Sequence, residues 1–191
     1  MSPAITLPAD GLRDQAIELR AVSVDEDLAA FVEAFQDPAI AQGAYQGQLA
    51  ATEAALRSYL DRAPARMEEG DAVLLSVWEP AAERLSGQTM LFRCNWDDLT
   101  AELGFWIAPW ARGRGLGTPA LALTLALAFD HLGIERVYGI TNVDNVGAQR
   151  AMESAGLRPE GIFRGAEKTR TGRADAVQFA MLVNDPRQAL A

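Results

Sequence analysis

Between Glu102 and Thr118 the chain reads ELGFWIAPWARGRGLGT, a strand-like apolar run and a proline followed by Gly113, Gly115 and Gly117 at alternate positions. Apolar residues of helical length then continue to Phe129. Glycine lets a backbone approach a ligand closely, and the first N–H groups of a helix lack internal acceptors, so a strand–glycine loop–helix unit is built to hold an anion. Arg112 and Arg114 add local positive charge to a chain whose formal net charge is -9. Two familiar phosphate loops are excluded. In a dinucleotide fingerprint two residues separate the second and third glycines, whereas here Leu116 alone stands between Gly115 and Gly117. An ATPase loop needs Gly-Lys-Ser/Thr, and the only lysine is Lys168. ATP and NAD are thereby disfavoured as ligands.

The surrounding pattern predicts one α/β unit spanning residues 1–191, with a core over about residues 17–183. Residues 16–22 alternate like a strand, and Ser23 with Glu26 forms a capping box ahead of Leu28, Phe31, Val32 and Phe35 at helical spacing. A loop containing AQGAYQGQ leads to a second helix, with Leu56, Tyr59 and Leu60 as its stripe and Pro64 as its stop. Residues 72–78, 89–95 and 102–108 then read as an antiparallel meander with short turns. The apolar helix of residues 116–129, capped by Gly133, leads to a strand at residues 137–143 and a short helix from Asn145 to Gly156. A hairpin of residues 157–163 and 176–183 closes the order β-α-α-β-β-β-α-β-α-β-β, a mixed and mostly antiparallel sheet.

Charge and cysteine usage narrow the setting. With 17 basic against 26 acidic side chains, the field opposes nucleic acid and anionic membrane surfaces and tolerates an amine. The 14-residue apolar window is too short to cross about 30 Å of hydrocarbon. The single cysteine, Cys94, closes no internal disulfide, and the chain opens without a basic stretch followed by an apolar run; the expectation is a cytoplasmic protein.

Arg112-Gly113-Arg114-Gly115-Leu116-Gly117 resembles the Q/R-x-x-G-x-G/A signature of the GNAT superfamily of N-acyltransferases. The stretches ELGFWIAPWARGRGLGTPAL and ERVYGITNVDNVGAQRAMESAGLRPEGIFRG are similar to the ribosomal-protein N-terminal acetyltransferase (RimJ/RimL-like) branch. The resemblance implies a single-domain GNAT-like fold and transfer of an acetyl group from acetyl-CoA to a primary amine, either a protein N-terminus or a small molecule, by direct attack in a ternary complex. It further implies that the loop from Arg112 through Gly113, Arg114, Gly115, Leu116, Gly117 and Thr118 holds the pyrophosphate. The strand edge at Ile107 would pair with pantetheine. Asn145, and less directly Asn142, would bond the pantetheine region, and Arg150 is an outside candidate for the 3'-phosphate. A homodimer is compatible with the resemblance and no metal is implied.

Acetyl transfer requires a neutral amine, which makes a carboxylate near the thioester the natural base. Glu102, on the pantetheine strand, is the first candidate; Glu160, Asp175 and water are alternatives. The positions where the family often carries a hydroxyl to protonate the departing thiolate are Ala148 and Met152, and neither can donate a proton. Ser154 and Leu157 stand where the branch usually has Lys and Phe. This departure keeps a second reading open, a CoA-binding module with little catalysis. His131 reads as a surface residue at a helix end, Cys94 as a small apolar residue, and Tyr45 with Phe35 as candidate acceptor-pocket lining.

Overall fold

The computed structural model describes residues 2–43, 49–169 and 172–187. One eight-stranded sheet has the order β1-β2-β3-β4-β5-β6-β8-β7. Its strands are β1 (Leu12–Arg13), β2 (Glu18–Ala21), β3 (Val73–Glu79), β4 (Arg84–Asn95), β5 (Thr100–Ile107), β6 (Arg136–Asn142), β7 (Arg158–Thr169) and β8 (Gly172–Leu182). Every pairing is antiparallel except β5 with β6. The helices are α1 (Val24–Ala34), α2 (Pro38–Gly43), α3 (Glu53–Asp61), α4 (Ala63–Glu68), α5 (Gly117–Ala126) and α6 (Val146–Ser154).

Helices cover both faces. On one, Trp106 of β5 packs edge-on against Phe31 of α1 and the adjoining Phe35, at centroid separations of 5.1 and 5.9 Å. On the other, a Cβ at Gly117 of α5 would sit 3.8 Å from Ile107 and 4.0 Å from Phe105, and one at Gly139 of β6 would meet Met152 of α6. Covered on both faces, β3 is buried along almost its whole length instead of at alternate positions, and its two polar side chains, Ser76 and Glu79, are buried with the rest. The core is continuous from Ile5 to Met181. Among the described residues no helix is long and apolar enough to cross a membrane.

The predicted order holds with additions: β1, α2 and α4 join it, and β4, β7 and β8 outrun the expected spans. Three local expectations are corrected. Ser23 makes no side-chain cap; Asp27, fully buried, accepts the Ser23 N–H at 2.9 Å and the Ser76 hydroxyl at 2.5 Å, displacing Glu26 from that role. Pro64 sits in the first turn of α4, where its missing N–H costs nothing, and so opens a helix; α3 has already ended at Asp61. The α5 helix ends in a π turn, Leu127–His131, before Gly133 takes a left-handed φ of +69°.

Candidate active site

The parallel pairing of β5 and β6 is brief: Thr100 with Arg136, Ala101 with Val137, and Glu102 with Tyr138. Beyond that last pair β5 continues to Ile107 against β4, and β6 continues to Asn142 against β8, so a cleft opens within the sheet. Backbone groups alternate sides along a strand. Ala108 donates to Ser86 on the β4 side, and the Leu103 carbonyl lies 3.2 Å from where a Cβ of Gly139 would stand, on the β6 side. The backbones of Leu103, Phe105 and Ile107 therefore face the cleft. Leu103 and Phe105 were legible in principle, by stepping back in twos from Ile107.

The glycine loop closes the open end of that cleft. Gly113 and Gly115 adopt φ of +73° and +77°, a region costly for residues with a Cβ, and open space surrounds both. Among the described residues, no hydrogen bond engages the backbone N–H of Gly113, Arg114, Gly115, Leu116, Gly117 or Thr118. Gly117 and Thr118 open the first turn of α5 and the other four amides lead into it, at the end where the helix dipole favours negative charge.

The two loop arginines differ from expectation, because neither presents an unpaired charge. Arg112 donates from Nη1 to Asp37 at 2.8 Å and from Nε to the Ile107 carbonyl at 3.2 Å. Arg114 grips both oxygens of Glu79, a buried carboxylate that also accepts the Ser86 hydroxyl at 3.0 Å. The arginine bonds hold the Asp37 and Glu79 carboxyls below their ordinary pKa. The guanidinium groups thus fasten the loop to Asp37, just ahead of α2, and to Glu79 of β3, which leaves the backbone amides as the loop's unengaged donors among the described residues.

At the apex of the cleft stands Glu102, 5% exposed, with its carboxylate 2.6 Å from Nη1 of Arg93. Arg93 occupies a left-handed φ of +52° at an irregularity in the β4–β5 pairing. Tyr138, register partner of Glu102, points to the same sheet face, away from α5 and α6. Burial, then the Glu102 carboxylate, push its phenol above the usual tyrosine pKa. Sequence reading passed over Tyr138 and Arg93, since only the register brings them to Glu102.

The remaining candidates separate by geometry. Glu160 binds Arg136 through two hydrogen bonds, at 2.8 and 2.6 Å, and accepts from Gln178, which pulls its pKa down to about 2. Such a carboxylate is a poor base. Asp175 accepts the Gly165 N–H at 2.7 Å and serves the β7–β8 hairpin. Asn142 spends its amide within the chain, on Glu167 and on the Asp144 N–H. Asn145 caps α6 through its oxygen, to Ala148 N–H at 3.2 Å; no hydrogen bond engages its amide nitrogen among the described residues. Arg150 is exposed on α6, and Met152 is buried against Gly139. Cys94 is only half-buried, yet burial raises its thiol to about 11, which keeps it protonated and unreactive. His131 lies at the end of the π turn beside Thr6. Phe35 is core, and Tyr45 lies outside the described residues.

The Glu160 pair yields a pH prediction. A carboxyl lowered from 4.5 to about 2 contributes stability that is complete above the unfolded value and vanishes as pH falls through the folded one. Glu160→Gln should therefore lower stability at pH 7 by at most about 1 kcal/mol, since both partners are partly exposed, and by almost nothing near pH 2. Thermal melts of both proteins across that range check it; a constant difference would contradict the assignment.

Comparisons with known proteins agree with this architecture. The chain is 29% identical over 124 residues to "Probable N-acetyltransferase YjcK" of Bacillus subtilis, covering 64% of this chain and 68% of that one. Its fold is similar to a GNAT-family acetyltransferase from Bacillus anthracis (TM-score 0.78, 19% identity, covering 92% of this chain and 99% of that one). It is similar as well to Mycobacterium smegmatis RimJ in complex with CoA-disulfide (TM-score 0.76, 18% identity, covering 87% and 81%). The acetyltransferase (GNAT) domain family matches residues 16–158, a span that includes the glycine loop, the cleft and α6, and the chain belongs to this family of acetyl-CoA-dependent acyltransferases.

Proposed function

We propose that this protein transfers the acetyl group of acetyl-CoA to a primary amine by direct attack in a ternary complex, and that its site is the cleft between β5 and β6. The run of unengaged amides from Gly113 to Thr118 carries the reading. A pyrophosphate needs several convergent donors and little side-chain bulk, and that loop offers both. The cleft edge at Leu103, Phe105 and Ile107 offers strand-type pairing to the two amides of a pantetheine arm. From Ile107 back to Glu102 is five residues of strand, about 17 Å, which suits an extended arm ending at the apex. Asn145 contributes its free amide nitrogen to the same arm. When bound, the coenzyme supplies an acyl thioester.

Glu102 takes the proton of the attacking amine. Its bond to Arg93 fixes the carboxylate in place, and its burial beside the cleft places it next to the reacting end. The acceptor belongs, on the RimJ-like resemblance, to the class of protein N-terminal α-amines, with small primary amines as the neighbouring class. The absence of a donor at Ala148 and Met152 favours a second reading, a CoA-binding module of low activity. Release of free thiol from acetyl-CoA, followed with a panel of N-terminal peptides and small amines, separates the two. Amine-dependent thiol release supports the transferase; coenzyme binding without it supports the module.

A further inference from the structure

We infer that Tyr138 is a catalytic proton donor, which protonates the departing sulfur and is itself reprotonated through Glu102. The inference rests on the cleft reading above. Its starting point is a gap: the transfer releases a thiolate, and the side chains of Ala148 and Met152 carry no proton to give it.

Tyr138 stands at the register position opposite Glu102, at the apex, and the Glu102 carboxylate acts directly on its phenol. It forms, with Glu102, the last pair before β5 and β6 part, so a thioester at the end of an arm lying along Leu103, Phe105 and Ile107 arrives between the two residues. Residues paired in a parallel ladder share a face, and Tyr138 and Glu102 both lie on the face opposite α5 and α6. Gly139, the next residue, faces the other way, where a Cβ would meet the Leu103 carbonyl at 3.2 Å and the Met152 sulfur at 3.5 Å. Three charged groups act on the phenol: Glu102 on β5, Arg93 on β4 and Arg136 on its own strand. Ala180, its β8 partner, is uncharged. Burial and the Glu102 carboxylate outweigh the two arginines and keep the phenol protonated at neutral pH.

The proton count closes. The amine nitrogen forms a bond to the carbonyl carbon and yields its proton to Glu102. The carbon–sulfur bond breaks with its electron pair on sulfur, sulfur takes the Tyr138 proton, and the Glu102 proton returns to the tyrosine oxygen. The products are an amide and a thiol, with both residues in their starting states.

Tyr138→Phe keeps the ring and removes the hydroxyl, so folding, checked by circular dichroism, should be preserved. The direct readout needs no turnover: the thiol of CoA is titrated in its binary complex with each protein by thiolate ultraviolet absorbance. A donor beside the sulfur stabilises the thiolate, so its loss should raise the bound thiol's pKa by about one unit, a tenfold weaker ionisation. Turnover with acetyl-CoA should fall by about 10²-fold, the low end for a general acid, and the deficit should shrink when the acyl donor is a thioester of a more acidic thiol. A merely structural tyrosine moves neither the titration nor the leaving-group dependence. Equal thiol titrations with CoA bound to both proteins overturn the role of Tyr138 and leave the cleft standing. Failure of the unaltered protein to bind CoA overturns both.

Discussion

Gly115→Glu is expected to lose acetyl-CoA binding by well over tenfold, more than about 1.4 kcal/mol, in calorimetric titration. Two physical terms add. Gly115 holds a φ of +77°, which a residue with a Cβ adopts only at a cost of about 1–2 kcal/mol, so the loop shifts off its binding geometry. The new carboxylate then stands beside the Gly113–Thr118 amides, in competition with the phosphates that those amides are proposed to bind. A Cβ at Gly115 meets no heavy atom within 4 Å among the described residues, so the fold should survive. Gly133→Glu is the matched control: it has a φ of +69°, equally open surroundings, and a place at the far end of α5. It should pay the same backbone cost in thermal stability and bind acetyl-CoA normally. Equal binding by the two variants would remove the glycine loop from the site.

Glu102→Gln should leave acetyl-CoA affinity in place and lower turnover at neutral pH by roughly 10²-fold. The amide preserves the shape of a buried side chain at the apex but can no longer take a proton. Its effect must depend on the acceptor. An N-terminal α-amine, with a reference pKa of about 7.7–8.0, is substantially neutral at physiological pH, whereas an alkylamine near 10.4 is almost wholly protonated. The variant should therefore penalise the alkylamine more. Steady-state rates for one substrate of each kind, measured against pH, test this. Unchanged profiles would pass the role to water, since Glu160 is held by Arg136 and Gln178 and Asp175 by the Gly165 amide.

The contrast between what the sequence made legible and what it hid follows from the range of the interactions involved. The glycine loop, the Asn145 cap and the α5 helix are local: their signals are glycines, a capping side chain and an apolar run, all within a few residues of the structure they specify. Pro64 and Asp27 show how local signals mislead, because a proline fits the start of one helix as well as the end of another, and a buried carboxylate four residues on outcompetes the nearer Glu26. The site itself is long-range. Arg114 meets Glu79 across 35 residues, Arg112 meets Asp37 across 75, and Tyr138 reaches Glu102 only because two strands distant in the chain pair in parallel for three residues. No periodicity announces such partners. The arginines of the loop consequently read as free charge in the sequence and turn out to be fasteners.

The central claim is that acetyl-CoA lies in the cleft between β5 and β6 with its phosphates on the amides of the glycine loop. Backbone amide hydrogen exchange of the intact protein, compared with and without acetyl-CoA, addresses it residue by residue. The predicted result is slowed exchange at Gly113 to Thr118 and at the cleft-facing amides of Leu103, Phe105 and Ile107, with the control residue Gly133 unchanged. Acetyl-CoA binding that leaves those amides exchanging at their unliganded rates, or protects a different surface, would contradict it.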